Sequence, residues 1–182
     1  MAEFGAVMAR VYGLFNRNPK SNQMMVDIAE LKPDDRLLEI GCGAGAAVAL
    51  AAEQIGAENV AAVDPSETFV DMVRRRVPGA DVRVAGAEDL PFDDASFTVI
   101  WSIASMHHWP DRAAGLATVA SKLAPGGRLL LAERLLKKPG HGITSAQLAE
   151  VKAELAELGL SNPETIERKL GRKTMAVIHA TR

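Results

Sequence analysis

The chain has 182 residues, of which 48% are apolar and 24% are charged, a composition typical of one globular domain and not of a filament or a disordered tail. Its 21 basic and 23 acidic residues leave a formal charge of -2, so it lacks the strongly basic character of a dedicated nucleic-acid-binding protein. Because Cys42 is the single cysteine and neither an apolar leader nor a membrane-length stretch is evident, we expect a cytoplasmic protein without an internal disulfide, a membrane span or a nucleic-acid partner.

The N-terminal region predicts two helices ahead of any strand. Apolar residues at helical spacing predict an amphipathic helix over residues 1–18 and a second, shorter helix over residues 21–31. A polar turn at residues 32–35 follows. We interpret residues 1–35 as a helical cap on a core formed by residues 36–182, so that the whole chain is a single domain.

Short apolar runs alternate with helical patterns through the middle of the chain. Strand, helix and strand repeated in this way predict parallel strands joined by right-handed crossovers, and therefore a doubly wound, Rossmann-like α/β sheet in three layers. The predicted strands are residues 37–40, 60–63, 82–85, 97–101 and 129–132, and the predicted helices are residues 46–54, 67–77 and 113–123.

The C-terminal region follows a different pattern. One more helical face, which begins at residues 144–145 and ends at Gly159, precedes two short strands at residues 165–170 and 174–180. The connection at residues 171–173 is too short for a crossover helix, so the two strands must form an antiparallel hairpin. The predicted sheet therefore has seven strands, mostly parallel, and ends in an antiparallel hairpin.

A glycine-rich turn joins the first core strand to the next helix. Residues 37–45 read Leu-Leu-Glu-Ile-Gly-Cys-Gly-Ala-Gly, and glycine permits both positive φ and a close approach of the backbone to a ligand. Asp64 ends the second strand, at the spacing where a carboxylate accepts hydrogen bonds from both hydroxyls of a ribose. The pair predicts a nucleoside-containing cofactor. The structural alternative is a tight turn, with Asp64 as an acid favoured at a helix start.

Two cofactor classes are compatible with this loop. Gly41, Gly43 and Ala46 satisfy the dinucleotide pattern, so an NAD(P)-dependent oxidoreductase is one alternative. Glu39 favours S-adenosylmethionine, because a carboxylate there would repel a pyrophosphate but can hold an ammonium group. The only tyrosine, Tyr12, precedes the loop and is not followed by a suitably spaced lysine, which argues against dehydrogenase chemistry.

Five pieces of the chain carry a family resemblance when they are taken together. They are Leu-Glu-Ile-Gly-Cys-Gly-Ala-Gly at 38–45, Val-Asp-Pro-Ser at 63–66, Ala-Glu-Asp-Leu-Pro-Phe-Asp-Asp-Ala-Ser-Phe at 87–97, Met-His-His-Trp-Pro-Asp at 106–111 and Leu-Ala-Pro-Gly-Gly-Arg-Leu at 123–129. In this order they resemble class I S-adenosylmethionine-dependent methyltransferases. The resemblance is strongest to the small-molecule group, methyltransferase type 11, that includes the ubiquinone and menaquinone biosynthesis C-methyltransferases.

The resemblance implies a role for each matched residue. It places the methionine part of the cofactor against Glu39 and the loop backbone, and the ribose on Asp64. It also implies that Pro65 packs on the adenine, while the Ala87 amide and Glu88 read the adenine edge. The other loop residues are Gly41, Cys42, Gly43 and Gly45, and the other residues beside the methionine part are Ser102 and Ile103.

Two positions depart from the family pattern. Gly86 stands where relatives usually carry an acid, and glycine has no side chain that could recognise the adenine amino group. Thr98 stands where relatives usually carry an aspartate. Neither departure affects the glycine loop or Asp64, and we still expect cofactor binding.

His107 and His108 are the candidate catalytic residues. They follow the fourth strand, at the sheet edge where open α/β sheets bind their ligands. Methyl transfer from a sulfonium needs a general base only when the acceptor starts protonated, and either imidazole can supply it. The alternative is that an imidazole caps or packs the following loop, since no acid partner can be assigned from sequence. No cysteine and histidine cluster has zinc spacing, so we expect no metal.

The sequence therefore predicts a single-domain S-adenosylmethionine-dependent methyltransferase (EC 2.1.1.-) that acts on a small-molecule acceptor and leaves S-adenosylhomocysteine. A non-catalytic S-adenosylmethionine-binding protein of the same fold is an alternative, beside the oxidoreductase. The oligomeric state, monomer or homodimer, stays open.

Overall fold

In a computed structural model of the protein, one mixed β-sheet runs through the described residues, 19–182. The helix predicted over residues 1–18 lies outside them. The strands are β1 (Leu37–Ile40), β2 (Val60–Asp64), β3 (Asp81–Val84), β4 (Phe97–Ile103), β5 (Leu123–Leu136), β6 (Ile143–Thr144), β7 (Ser161–Leu170) and β8 (Lys173–Thr181). The helices are α1 (Pro19–Ala29), α2 (Ala46–Ile55), α3 (Glu67–Arg76), α4 (Arg112–Lys122) and α5 (Ser145–Glu157), with short 3₁₀ turns at Ala57–Asn59 and Met106–His108.

The strand order is β3-β2-β1-β4-β5-β8-β7, and the two-residue β6 pairs with β5 outside this order. Strands β1 to β5 pair in parallel, whereas β8 is antiparallel to both β5 and β7. The predicted Rossmann-like sheet of seven strands with a C-terminal hairpin is confirmed, and β6 is an additional eighth strand. No helix within residues 19–182 is long and apolar enough to cross a membrane.

Helices cover both faces of the sheet, which gives the predicted three layers. On one face, α2 and α3 bury Val48 and Val70 against the strands. On the other face, α4 buries Leu116. Consecutive strand residues such as Leu37 and Leu38 enter opposite clusters because side chains alternate along a strand. Burial on both faces explains why β1, β2 and β4 are almost uniformly apolar, whereas the edge strand β3 is mostly exposed.

Strand β5 is longer than the predicted strand at residues 129–132. The sequence Pro-Gly-Gly at 125–127 is typical of a turn, yet these residues pair with the end of the chain. Gly126 N donates to Arg182 O at 2.8 Å, and Arg182 N donates to Gly127 O at 3.0 Å. The backbone partners that extend β5 therefore come from residues far away in sequence.

A buried polar cluster joins the end of α1 to β4 and β5. Asp35 accepts hydrogen bonds from Arg128 Nη2 at 2.6 Å and from Thr98 Oγ1 at 2.7 Å. Arg36 N donates to Thr98 Oγ1 at 2.9 Å, and Arg128 Nε donates to Ala29 O at 3.0 Å. Burial opposes ionisation of Asp35, but the hydrogen bonds, first of all from Arg128, outweigh it and lower the Asp35 pKa. Thr98, one of the two departures from the family pattern, therefore has a structural role.

We expect Thr98→Val to lower the free energy of unfolding by about 1–2 kcal/mol, because Asp35 and the Arg36 N–H each lose a hydrogen-bond partner. Thr165 offers a matched control, since its buried hydroxyl has no partner among the described residues. Thr165→Val should be neutral or slightly stabilising. Urea unfolding measures both, and equal effects of the two substitutions would contradict the role given to Thr98.

Candidate active site

The loops that carry the predicted site residues converge at the carboxyl ends of β1, β2 and β4. Strand β1 pairs with β2 on one side and with β4 on the other. The helix after β1 packs on one face of the sheet, and the helix after β4 packs on the opposite face. At such a switch point the two connections diverge and leave a crevice above the strand ends, where ligands of open α/β sheets bind.

The glycine loop after β1 contains three left-handed glycines, Gly41, Gly43 and Gly45, with φ of 74°, 50° and 71°. A Cβ on Gly41 would lie 1.9 Å from Ser105 Oγ, and one on Gly45 would lie 2.7 Å from a Val73 methyl. Close packing therefore excludes side chains at these two positions. A Cβ on Gly43 would have no neighbour within 4 Å, so the backbone there is open to an approaching ligand.

Asp64, at the end of β2, holds the glycine loop in place. Its Oδ2 accepts from Gly43 N at 2.9 Å and its Oδ1 accepts from Ser66 N at 2.9 Å. Burial raises the Asp64 pKa, although these two hydrogen bonds act in the opposite direction. Each oxygen keeps a further lone pair, because a carboxylate has about four acceptor positions. Asp64 can therefore bond to the backbone at the start of the next helix and still accept hydrogen bonds from two ribose hydroxyls.

Glu39 is a buried carboxyl with an unsatisfied oxygen. The residue is 3% exposed, and its Oε2 has no hydrogen-bond partner among the described residues. Burial raises the Glu39 pKa to about 8; the Trp101 indole opposes this shift, and the nearby Asp64 carboxylate adds to it. An ammonium group on a ligand would supply both a compensating charge and the missing hydrogen bond. The site therefore fits an amino-acid-bearing nucleoside cofactor.

Cys42, inside the glycine loop, is a buried free thiol. Burial raises its pKa well above the usual range, and the Glu39 and Asp64 carboxylates raise it further. The thiol is therefore protonated at neutral pH. It acts as a small apolar side chain in the loop and not as a nucleophile.

The residues predicted for the adenine lie beyond β2 and β3. Pro65 is exposed and Ala87 is buried. Glu88 Oε1 accepts a hydrogen bond from Asp111 N at 3.1 Å, which holds this carboxylate against the backbone at Asp111. A Cβ on Gly86 would lie 2.7 Å from Glu88 Oε2, so the Glu88 carboxylate occupies the space beside Gly86. A carboxylate therefore lies beside position 86, although it comes from Glu88.

Ser102 and Ile103 end strand β4 beside the glycine loop. The Ser102 side chain is 1% exposed, and its Oγ donates to Ile40 O at 3.0 Å. Ile103 is half-buried. The Ser102 hydroxyl therefore ties β4 to β1, and the partly buried Ile103 packs against the core on the face covered by α2 and α3.

His107 is paired with a buried carboxylate that the sequence did not identify. Glu133, on β5, accepts from His107 Nδ1 at 2.8 Å and from His107 N at 3.2 Å. The exposed fractions of the two side chains are 13% for His107 and 2% for Glu133. Because Glu133 accepts a hydrogen bond from Nδ1–H, the lone pair of the neutral ring is on Nε2.

His108 and His141 complete a histidine cluster around His107. The His108 ring centroid lies 4.0 Å from that of His107 and 5.7 Å from that of His141. Burial, followed by the neighbouring His107 and His141, lowers the His108 pKa, so this ring is neutral at pH 7. The two predicted catalytic histidines therefore differ, because only His107 is oriented by an acid.

Glu133 and His141 are the site residues that sequence analysis missed. Glu133 directly follows the predicted strand at residues 129–132, and a carboxylate at the carboxyl end of a buried strand was a usable signal. His141 lies between Gly140 and Gly142 in a loop without hydrophobic periodicity, and nothing in the sequence indicated its position.

Known proteins resemble this chain in sequence and in fold. A family model described as "Methyltransferase domain" matches residues 38–131. The chain is 36% identical over 158 residues to 27-O-demethylrifamycin SV methyltransferase of Amycolatopsis mediterranei, covering 75% of this chain and 57% of that protein. It is 31% identical over 153 residues to O-methyltransferase cnsE of Penicillium expansum, covering 81% of this chain and 54% of that protein. A solved SAM dependent methyltransferase from Aquifex aeolicus superposes with a TM-score of 0.75 at 16% identity, covering 98% of this chain and 99% of that one.

The fold is that of the Rossmann-like S-adenosylmethionine-dependent methyltransferases. The chain belongs to the methyltransferase domain family, because the family model matches more than half of its length. This match favours a methyltransferase over the NAD(P)-dependent oxidoreductase alternative. The chain spans about half the length of the curated relatives it matches.

The raised pKa of Glu39 determines how the stability of the ligand-free protein depends on pH. The folded-state pKa is raised from 4.5 to about 8, so between these values the folded state holds a proton that the unfolded state releases. The free energy of unfolding therefore falls as pH rises through this window. We expect Glu39→Gln to remove this loss. The free energy of unfolding of the variant, relative to that of wild type, should therefore rise by on the order of 3 kcal/mol from pH 5 to pH 8.

Chemical unfolding at several pH values measures this gain. The exposed Glu53 on α2 supplies the control, and Glu53→Gln should leave the pH dependence close to that of wild type. If the stability of Glu39→Gln falls as steeply as that of wild type when the pH rises, the claim that the buried Glu39 carboxyl keeps its proton is contradicted.

Proposed function

We propose that the protein is an S-adenosylmethionine-dependent O-methyltransferase that acts on a hydroxyl group of a small-molecule acceptor. The observation that carries the proposal is the His107–Glu133 pair, with Nδ1 and Oε2 2.8 Å apart. A hydroxyl starts protonated, and a carboxylate-oriented imidazole is suited to remove its proton. The names of two relatives, a 27-O-demethylrifamycin SV methyltransferase and an O-methyltransferase, support an oxygen acceptor.

Two carboxylates hold the cofactor at opposite ends in this proposal. Glu39 binds the methionine ammonium group, and Asp64 accepts hydrogen bonds from the ribose hydroxyls. When bound, S-adenosylmethionine supplies a sulfonium methyl group that a nucleophile displaces in line. Glu88, held by Asp111 N, accepts from the adenine amino group in place of the acid missing at Gly86. The other proposed contacts are Gly41, Cys42, Gly43, Gly45, Pro65, Ala87, Ser102 and Ile103.

His107 is the proposed general base. Glu133 fixes the tautomer by accepting from Nδ1, so that Nε2 takes the proton of the acceptor hydroxyl as the oxygen attacks the methyl carbon. The ring then carries a positive charge that Glu133 stabilises across the same hydrogen bond. The second bond, from His107 N to Glu133 Oε1, holds the backbone and keeps Nε2 in a constant position.

His108 is the second candidate base that the sequence offered. Its side chain is exposed, and within residues 19–182 no hydrogen bond orients its ring. Its contact with His107, at 4.0 Å between ring centroids, suits a role in confining that ring or the acceptor. We therefore assign proton removal to His107 and acceptor contact to His108.

Substitution of His107 and Glu133 tests the proton-transfer role. We expect His107→Gln to lower kcat by roughly 10²–10⁴-fold, the usual contribution of a general base, with little change in the affinity for S-adenosylmethionine. Glu133→Gln should also lower kcat while the KM for the acceptor changes little, because an amide at position 133 donates to Nδ1 and moves the ring proton to Nε2. Transfer of a labelled methyl group to a panel of phenols and alcohols measures both.

The ring tautomer separates a positioning role of Glu133 from a merely structural one. ¹⁵N chemical shifts of His107 should show Nδ1–H in wild type and Nε2–H in Glu133→Gln, and Glu133→Asp should restore part of the activity. His179, on β8, is the matched control, and His179→Gln should transfer at the wild-type rate. Undiminished transfer by His107→Gln, or methylation of carbon or nitrogen acceptors alone, would contradict the proposal.

A further inference from the structure

We propose that His107, His108 and His141 form a binding site for one divalent transition-metal ion of the zinc class on the acceptor side of the active site. One nitrogen of each ring lies within 4.8 Å of the nitrogens of the other two. These residues are three of the four histidines in the chain, and they come from two separate loops. The protein would bind this ion in addition to the methyl donor.

The spacing of the three rings is close to that of a metal site. In a tetrahedral site with metal–nitrogen bonds of about 2.0–2.1 Å, the ligand nitrogens are about 3.3 Å apart. The rings of His107 and His108 are already adjacent, and His141 lies 5.9 Å and 5.7 Å from them between centroids. Because His108 and His141 are exposed, rotation of their side chains can bring the nitrogens together around an ion.

The backbone holds His141 in this position. Gly142 has a φ of 148°, and a Cβ on it would lie 2.3 Å from Arg134 O, so only glycine lets the loop pack this closely on β5. Gly142 N donates to Gly140 O at 2.9 Å, which closes a tight turn around His141. The same strand carries Glu133, one residue before Arg134. The turn therefore keeps the His141 imidazole beside the His107–Glu133 pair.

Glu133 completes the arrangement that is usual around metal-binding histidines. A ligating imidazole almost always donates its other nitrogen to a carboxylate or a carbonyl, which fixes the ring and raises its basicity. His107 Nδ1 already makes this bond to Glu133, and Nε2 is free for a metal. Three neutral imidazoles without a carboxylate ligand favour zinc, copper, nickel or iron over magnesium and calcium. Three protein ligands also leave a fourth position open.

Metal binding has a consequence for catalysis that rests on the proposed function. The lone pair on His107 Nε2 cannot take a proton from the acceptor while it is bonded to a metal ion. Occupancy of the site should therefore stop proton removal, and the zinc-class ion acts as an inhibitor of the proposed transfer. A chelator should reverse this inhibition.

Calorimetric titration of Zn²⁺ into the tag-free, chelator-treated full chain tests the site directly. We expect one ion per chain, and Co²⁺ should give the visible absorption of a tetrahedral nitrogen site. His141→Ala should weaken Zn²⁺ binding by at least about tenfold, and Glu133→Gln by roughly 10–100-fold. His179→Ala, which removes the fourth histidine on β8, should bind Zn²⁺ as wild type does.

Two results would overturn the metal site. One is the absence of saturable one-to-one Zn²⁺ binding, and the other is equal affinity of wild type, His141→Ala and His179→Ala. Calorimetry requires no methyl transfer, so its failure is distinguishable from failure of the proposed function. If Zn²⁺ binds at the histidines but His107→Gln transfers methyl groups at the wild-type rate, the metal site stands and the general base does not.

Discussion

Burial of two carboxyl groups at neighbouring strand ends is the constraint on which the rest of the site depends. Asp64 is compensated by two backbone N–H groups, one of which, from Gly43, is available only because the loop takes left-handed backbone conformations. Glu39 keeps an oxygen without a partner, and its pKa is raised to about 8. The ligand-free protein therefore contains an unsatisfied buried acid that a cationic ligand would stabilise in its charged form.

Parallel strands bring the two halves of the site together. The carboxyl ends of β1 and β2 supply Glu39 and Asp64, and the segments beyond β4 and along β5 supply His107 and Glu133. These residues lie at the same edge of the sheet, because parallel neighbours run in the same direction and Ile103 at the end of β4 pairs with Ala132, next to Glu133. In the proposed reaction a group that holds the cofactor and a group that removes a proton therefore lie at the same edge of the sheet.

The local part of this structure was predictable from the sequence. The three loop glycines, Asp64 and the alternation of apolar runs depend on neighbouring residues, and they predicted the loop, the strand ends and the sheet. The residues that sequence analysis missed act over long distances in the chain. Glu133 meets His107 only because β5 lies beside β4, and Gly126 and Gly127 of β5 bond to the backbone of Arg182.

Two positions also show that contacts between side chains cannot be predicted from the sequence alone. Thr98 and Gly86 depart from the family pattern, and the sequence alone offered no reason for either. In the structure, Thr98 bonds to Asp35, which comes from the turn after α1, and Gly86 leaves room for the Glu88 carboxylate. Both reasons depend on which side chain fills the adjacent space.

Calorimetric binding of S-adenosylmethionine and S-adenosylhomocysteine to wild type and Asp64→Ala is the most direct test of the central claim, that this sheet edge holds the methyl donor. Wild type should bind both with one site per chain, and Asp64→Ala should lose on the order of 2 kcal/mol of binding free energy. Asp71→Ala, which removes an exposed acid on α3, should bind as wild type does. No binding to wild type, or equal binding to Asp64→Ala, would contradict the claim.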